Sequence, residues 1–299
     1  MKIITHSGNF HPDEVFGVAA LRIFFGKEAV KDIEIIRTRD LKIIEGKSQE
    51  DIVLDVGFKY LPEENRYDHH QEGGAGKREN GVPYASFGLI WKHFGERIAG
   101  SKRGADTIEE KLVLAIDAGD NGVDTFQKVS KHFKPYLIEG AIISFLPTWQ
   151  EKNMDIDGAF MNAVALAQVL LKREISKAKA FIDGESAVEK AYQDAQDKRI
   201  IMLDNNYSWR DVLVKYPEPL FVIMNDGKQT TWAVSAIRKD GASFQSRKLF
   251  PESWAGKSGS AFAEASGVSD ANFCHNGRFI VVANSKEGAL KLANLGVNN

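Results

Sequence analysis

Apolar and polar positions alternate in short blocks from the first residues. Lys2-Ile3-Ile4-Thr5 reads as a short strand, Ser7 to Pro12 as a polar loop, and Glu14 to Phe25 as a helix in which Glu14 and Arg22 are the only strongly polar side chains. A helix apolar on most sides belongs against a sheet, and Pro12 suits its first turn. The strand signal recurs at Ile33 to Ile36 and Ile52 to Leu54, and helical patterns follow at Ser86 to Phe94, with Ser86 a possible cap, and Ile108 to Ile116. From Gly158 to about Lys198 apolar residues such as Phe160, Val164, Leu170 and Ile175 recur near helical spacing. Asp183-Gly184 is expected to break that helix, and the passage is expected to join two domains. Strands are then expected at Ile200 to Leu203, Leu220 to Met224, Trp232 to Ile237 and Phe279 to Val282, with a closing helix from Lys286 to Asn294. The pattern predicts an α/β protein: a mainly parallel sheet within residues 1–195 and a smaller mixed α/β domain within 196–299.

Composition narrows the class. The 299 residues are 43% hydrophobic and 27% charged, with a net charge of -2, which fits an ordinary soluble globular chain. It argues against retention on nucleic acid by bulk positive charge, though not against an enzyme gripping one strand end. The single cysteine, Cys274, rules out an internal disulfide framework. With no leader-like pattern at Met1 and no apolar run long enough to span a membrane, a cytoplasmic location is expected. Six positive residues (Lys228, Arg238, Lys239, Arg247, Lys248, Lys257) outnumber three negative ones (Asp226, Asp240, Glu252) between 226 and 257, with Trp232, Phe244 and Trp254 interleaved. Such a stretch is either a solvated face over core aromatics or a surface for an anionic substrate.

The candidate chemistry collects where strands end. His6 follows the first strand, with His11 and Asp13 in the loop and first turn beyond it; Asp55 follows the third; Asp68-His69-His70 follows Tyr67; Asp117 and Asp120 close a helix. Open α/β sheets place ligand sites at strand carboxyl ends. Taken singly, Asp13 could cap its helix, Asp55 could form a turn, and the Asp117/Asp120 segment could simply be a helix terminus. Together they hold four of the chain's seven histidines. Mixed imidazole and carboxylate ligation suits Mn²⁺, Fe²⁺ or Zn²⁺ better than Ca²⁺, and a shared carboxylate gives a two-metal hydrolytic site. The glycine-rich run Gly73-Gly74-Ala75-Gly76-Lys77 lacks a P-loop's Gly-Lys-Ser/Thr ending and preceding strand, and reads as a mobile loop.

His6…His11-Pro12-Asp13, Leu54-Asp55-Val56-Gly57, Asp68-His69-His70 and Asp117-Ala118-Gly119-Asp120-Asn121-Gly122 resemble, in order, the four motifs of the DHH phosphoesterase superfamily. More narrowly, Thr5 to Glu14, Arg37-Thr38-Arg39-Asp40, Tyr67 to Gln71 and Ser243-Phe244-Gln245-Ser246-Arg247 resemble the Myg family (melanocyte-proliferating-gene product), over Thr5 to Ala289. That family has been described both as a metal-dependent protein hydrolase and as a 3′–5′ RNA exonuclease. The resemblance implies a DHH-like catalytic domain and two divalent ions per chain, Mn²⁺ foremost. His6 and His11 would hold one ion, Asp13 and His69 the other, with Asp55 bridging and Asp120 or Asp117 completing the second site. Asp68 would orient the histidine pair and His70 would face the substrate phosphate. His11 stands where many superfamily members have Asp, making the first site richer in nitrogen. Arg247, His275, Gly277 and Arg278 are the expected substrate-binding residues of the second domain, lending cations to a cleft between the two. The expected activity is phosphoester hydrolysis, exonucleolytic on RNA or short oligonucleotides. The alternatives are a small-molecule nucleotide or polyphosphate phosphatase, and a metal-bound binding or regulatory protein without turnover.

Overall fold

The structure is a computed structural model that describes residues 1–29, 32–126, 132, 135–152, 155–225 and 230–299. Asp226 and Lys228 of the basic stretch lie outside the described residues. The chain divides into two compact units, Met1–Lys179 and Ala180–Asn299.

The first unit begins with β1 (Lys2–Thr5), α1 (Pro12–Ala29), β2 (Glu34–Arg37), α2 (Leu41–Glu45), β3 (Ile52–Leu54), β4 (Tyr60–Leu61) and β5 (Arg66–Tyr67). Its five strands lie in the order β2-β1-β3-β5-β4. β1 runs parallel to β2 and β3, and β3 parallel to β5; only the edge pair β4/β5 is antiparallel. The mainly parallel sheet is therefore as the pattern predicted. Ile3, Val53 and Leu54 are fully buried, as expected of parallel strands. The remaining helices are α3 (Ser86–Ala99), α4 (Lys102–Ile108), α5 (Leu114–Asp120), α6 (Ile138–Ile143) and α7 (Ile156–Asp194). A π-helical turn, Glu109–Val113, links α4 to α5. α1 packs on α3, and Gly17 lets it also lie close against β3: a Cβ there would stand 2.7 Å from Leu54 Cδ1.

The expected break at Asp183-Gly184 does not occur, since α7 runs through it to Asp194. Gly184 is buried against Tyr207, whose Cδ1 would lie 2.9 Å from an added Cβ. The glycine serves packing, at the modest cost of one glycine in a helix. The division between the units falls within this helix.

The second unit contains β6 (Ile200–Met202), α8 (Arg210–Leu213), β7 (Phe221–Asn225), β8 (Trp232–Ala236), α9 (Gly259–Ser266), β9 (Ala271–Cys274), β10 (Ile280–Ala283) and α10 (Lys286–Asn298). Its strand order is β6-β7-β8-β10-β9, with β6/β7 parallel and the other pairs antiparallel, the mixed sheet predicted. One apolar core, including Phe221, Val234, Phe250 and Leu292, is joined by Trp254 from the basic stretch. A second, with Val188, Tyr192, Ile201 and Trp209, includes the end of α7. Among the described residues, no helix is long and apolar enough to cross a membrane.

Candidate metal centre

The carboxyl ends of β1, β3 and β5 bring their polar residues together. His6 leaves β1, Asp55 leaves β3 and His69 lies two residues beyond β5, while Asp13 and Glu14 project from the first turn of α1 and Asp120 from the last of α5. His6 Nε2 lies 3.0 Å from Glu14 Oε1 and 3.2 Å from Asp55 Oδ2. His69 Nε2 lies 3.3 Å from both Asp55 Oδ1 and Asp120 Oδ2, and 3.8 Å from Asp13 Oδ2. Asp55 thus stands between the two histidines, one oxygen toward each. Its backbone is left-handed, with φ 57°, which folds the chain back just past the strand and aims the carboxylate inward.

The cluster fits divalent cations. The donor atoms of His6, His11 and Glu14 lie within 4.8 Å of one another, as do those of His11, Asp13 and Asp120, those of Asp13, Glu14 and Asp55, and those of Asp55, His69 and His70. Asp13 Oδ1 and His69 Nε2 are buried without a hydrogen-bond partner. Polar atoms in that position are costly, and both point among anionic oxygens that a cation would neutralise. With protein charges alone the cluster is strained. Burial and the neighbouring Asp55, Asp120 and Glu14 raise the Asp13 carboxyl well above the carboxylate range. Burial also raises Glu14, against its hydrogen bond with His6. Burial pulls His6 down, yet the hydrogen bonds and charges of Asp55 and Glu14 raise it to about 10. Asp55 is pushed up by burial but held well below the usual range by the imidazoles of His6 and His69, 3.2 and 3.3 Å from its two oxygens. Opposite shifts on neighbouring groups mark sites built for charge.

Asp68 works from behind. Its Oδ1 lies 2.7 Å from His70 Nδ1 and accepts from the backbone N–H of His69 (2.8 Å) and His70 (3.2 Å); Oδ2 accepts from Phe58 N at 2.6 Å. It therefore fixes the ring of His70 and the backbone of both histidines, and does not touch the ring of His69. Ser86 is the first residue of α3 and makes no side-chain cap. Its hydroxyl lies 3.1 Å from Asp55 Oδ1 and from Tyr67 O, and its N–H donates to Asp13 Oδ2 at 3.3 Å.

Of the two acids ending α5, Asp120 joins the cluster and Asp117 turns away. Asp117 accepts from Arg78 Nη2 at 2.8 Å and Gly88 N at 3.0 Å. Burial raises its carboxyl to about 7 despite Arg78. Two N–H donors reaching different oxygens nevertheless match the ionised form, so the geometry is that of an ion pair. Arg78 also pairs with Glu109 and so ties the glycine-rich loop to the helices.

The sequence reading missed Glu14, Ser86, Arg39 and Arg78 as site residues. Glu14 carried a signal: it is one of two strongly polar side chains on an otherwise apolar helix, and it is wholly buried. Arg39 Nη2 lies 3.1 Å from His6 Nδ1; Arg78 had no spacing that could reveal its partner.

The residues expected to bind substrate in the second unit have other partners. Arg247 donates to the backbone carbonyls of Val214, Tyr216 and Pro219 at 2.8, 2.5 and 3.0 Å. His275, Gly277 and Arg278 occupy the turn between β9 and β10. Gly277 N donates to His275 Nδ1 at 2.9 Å, and Arg278 Nη1 to Phe250 O at 3.3 Å. Gly277 keeps a negative φ while Arg278 takes the left-handed conformation, φ 56°.

Comparisons with known proteins show the family. Residues 2–297 match the family model MYG1_exonuc, described as Uncharacterised protein family (UPF0160). The MYG1 exonuclease of Mus musculus is 30% identical over 325 positions, covering 98% of this chain and 83% of its own. The MYG1 protein of Dictyostelium discoideum is 30% identical over 324 positions, covering 98% and 95%. Among solved structures, RecJ from Thermus thermophilus in complex with Mn²⁺ shows a loose likeness, with a TM-score of 0.31 and 13% identity over all of this chain and 52% of that one. A family match that runs from Lys2 to Val297 leaves almost no residue outside it, and the chain belongs to the MYG1 family.

Proposed function

We propose that the chain is a divalent-metal-dependent phosphodiesterase that acts as an exonuclease on RNA or short oligonucleotides in the 3′–5′ direction, with a catalytic first domain and a substrate-binding second domain. The observation that carries the reading is the convergence of His6, His11, Asp13, Glu14, Asp55, His69 and Asp120, with Asp13 Oδ1 and His69 Nε2 buried and unpartnered. Membership of a family whose mouse member is called an exonuclease supplies the substrate class.

His6, His11 and Glu14 would hold one ion, Asp13, His69 and Asp120 the other, and Asp55 would reach both; Mn²⁺ suits the mixed nitrogen and oxygen donors. Ions bound there supply positive charge to the phosphate oxygens and lower the pKa of water. The chain's own groups do the rest. Asp68 accepts from Nδ1 of His70, which leaves Nε2 on the half-exposed edge of that ring as a donor or acceptor for a phosphate oxygen. Ser86 steadies the Asp55 carboxylate, and Asp117 with Arg78 braces the end of α5 that carries Asp120. Asp68 and Asp117 thus act as positioning residues.

The test offers Mn²⁺-loaded protein a panel of end-labelled RNA, DNA, dinucleotides and pyrophosphate. Mononucleotides released stepwise from the 3′ end of RNA are expected. Phosphate from pyrophosphate alone would replace the proposal with a small-molecule phosphatase, and turnover of no substrate would leave a metal-bound binding protein.

A further inference from the structure

A cavity of about 370 Å³ opens at the His/Asp cluster, lined by His6, His11, Asp55 and His70 together with Phe58, Leu41 and Arg39. Phe58 is unusual in two ways. It is 64% exposed although it is a large aromatic residue, and its backbone is left-handed, with φ 56°, a conformation disfavoured for bulky side chains. Strain of this kind persists where surrounding structure enforces it, and it clusters at ligand sites. Here the enforcing contact is visible: Phe58 N donates to Asp68 Oδ2 at 2.6 Å, and the other oxygen of the same carboxylate holds His70 Nδ1. One buried carboxylate therefore holds both the backbone that carries Phe58 and the ring of His70. The Phe58 and His70 rings stand 6.5 Å apart, nearly edge to face.

We infer that Phe58 is a stacking platform for the nucleobase of the nucleotide at the cleavage site, with Arg39 and His70 flanking that nucleotide's phosphate. A fixed, solvent-facing ring gains little from folding; a flat aromatic ligand gains from it directly, whatever its sequence. The volume sits at the small end of ligand pockets, which suits one nucleotide rather than a duplex.

This inference rests on the exonuclease reading for its substrate, so the test separates the two. Mg²⁺-loaded full chain is titrated into 2-aminopurine ribonucleoside monophosphate, whose fluorescence falls on stacking, and hydrolysis of RNA ending in either a normal or an abasic nucleotide is followed in parallel. The wild type should quench the fluorophore. Phe58→Ala should bind it roughly 5- to 100-fold more weakly, the range for loss of one base–aromatic stack, without quenching and with metal content unchanged. Phe58→Tyr should restore both. The abasic end should slow the wild type but not Phe58→Ala. RNA hydrolysis accompanied by equal binding and quenching in wild type and Phe58→Ala overturns the platform and leaves the exonuclease standing. Quenching that depends on Phe58 in a protein that hydrolyses no RNA overturns the exonuclease and leaves a nucleotide-binding platform. No quenching by the wild type overturns the platform outright.

Discussion

The two sheets of this protein treat charge in opposite ways. Among the described residues, the unit around the parallel sheet buries eight charged or imidazole side chains: His6, Asp13, Glu14, Asp51, Asp55, Arg66, Asp68 and Asp117. In the unit around the mixed sheet, the buried polar residues are Ser235 and Ser266, and no charged side chain is buried among the described residues. Burying charge is costly unless it is paired or holds a metal. In the first unit some of it is paired, as Asp51 is with the N–H groups of Lys2 and Ser48, but the cluster at the strand ends is dominated by like charges. The difference teaches where to look for function. A fold that keeps several carboxylates together in its interior does so for chemistry, whereas Arg247, donating to three backbone carbonyls, holds loops together.

The comparison breaks first at Asp55. Asp55→Asn should reduce kcat by about 10³-fold or more, equivalent to roughly 4 kcal/mol of transition-state stabilisation. It should also lower the metal bound after Mn²⁺ loading from about two ions per chain. The fold should survive, because Asn tolerates the left-handed backbone that Asp55 adopts. Elemental analysis with single-turnover kinetics on one preparation decides it: undiminished turnover and stoichiometry would mean the charge at this position serves something other than the ions.

Arg247 is the converse case. Removing a guanidinium that satisfies three carbonyls between Val214 and Pro219 should destabilise the second unit by about 2–3 kcal/mol, with metal content untouched. Urea denaturation of Arg247→Ala beside its RNA affinity is the measurement. Unchanged stability with weakened RNA binding would leave Arg247 with the substrate role alone.

How much was legible follows from the same contrast. The parallel sheet was readable because β1 and β3 are short apolar runs, each followed by a metal-ligating residue type, and His6, Asp55 and His69 mark those ends. Glu14 was legible only in part: a polar side chain on an otherwise apolar helix signals a role, but not that it turns toward His6. Asp117 and Asp120 were inseparable in sequence, being three residues apart at one helix end; only Arg78, a contact 39 residues away, tells them apart. Gly184 misled because glycine's propensity cost was taken as a break, while packing against Tyr207 decided the outcome. In the second unit, β9 went unread because Ala271-Asn272-Phe273-Cys274 has no clear alternation, and the carbonyl partners of Arg247 leave no trace in sequence.

Glu14 sharpens the comparison within the first unit. Both its oxygens accept from His11 N, at 3.0 and 2.9 Å, the reciprocal contact of a helix-capping box, and one also faces His6. Glu14→Gln keeps the shape and a capping oxygen but removes the charge. If Glu14 is a ligand, Mn²⁺ affinity should fall 10- to 100-fold, the size seen when partners of a metal site are altered, at nearly unchanged thermal stability. Isothermal titration with Mn²⁺ gives the answer; equal affinity would reduce Glu14 to a capping residue.

The smallest expected effect concerns Arg278, and its sign is informative. Its backbone is left-handed, φ 56°, which disfavours any L side chain by about 1–2 kcal/mol, while its side chain makes one long hydrogen bond, 3.3 Å, to Phe250 O. Glycine relieves the backbone strain but adds freedom to the unfolded chain, about 0.5–1 kcal/mol. Arg278→Gly should therefore match or exceed the wild type in stability, by no more than about 1 kcal/mol. A residue kept in a strained conformation with little return to the fold is a candidate for binding, and the guanidinium's remaining donors suit phosphate oxygens. If Arg278 grips substrate, the same variant should lose about tenfold in kcat/KM for RNA while binding the same metal. A variant that is clearly destabilised, with kcat/KM unchanged, would instead place Arg278 with Arg247, as a brace of the second unit.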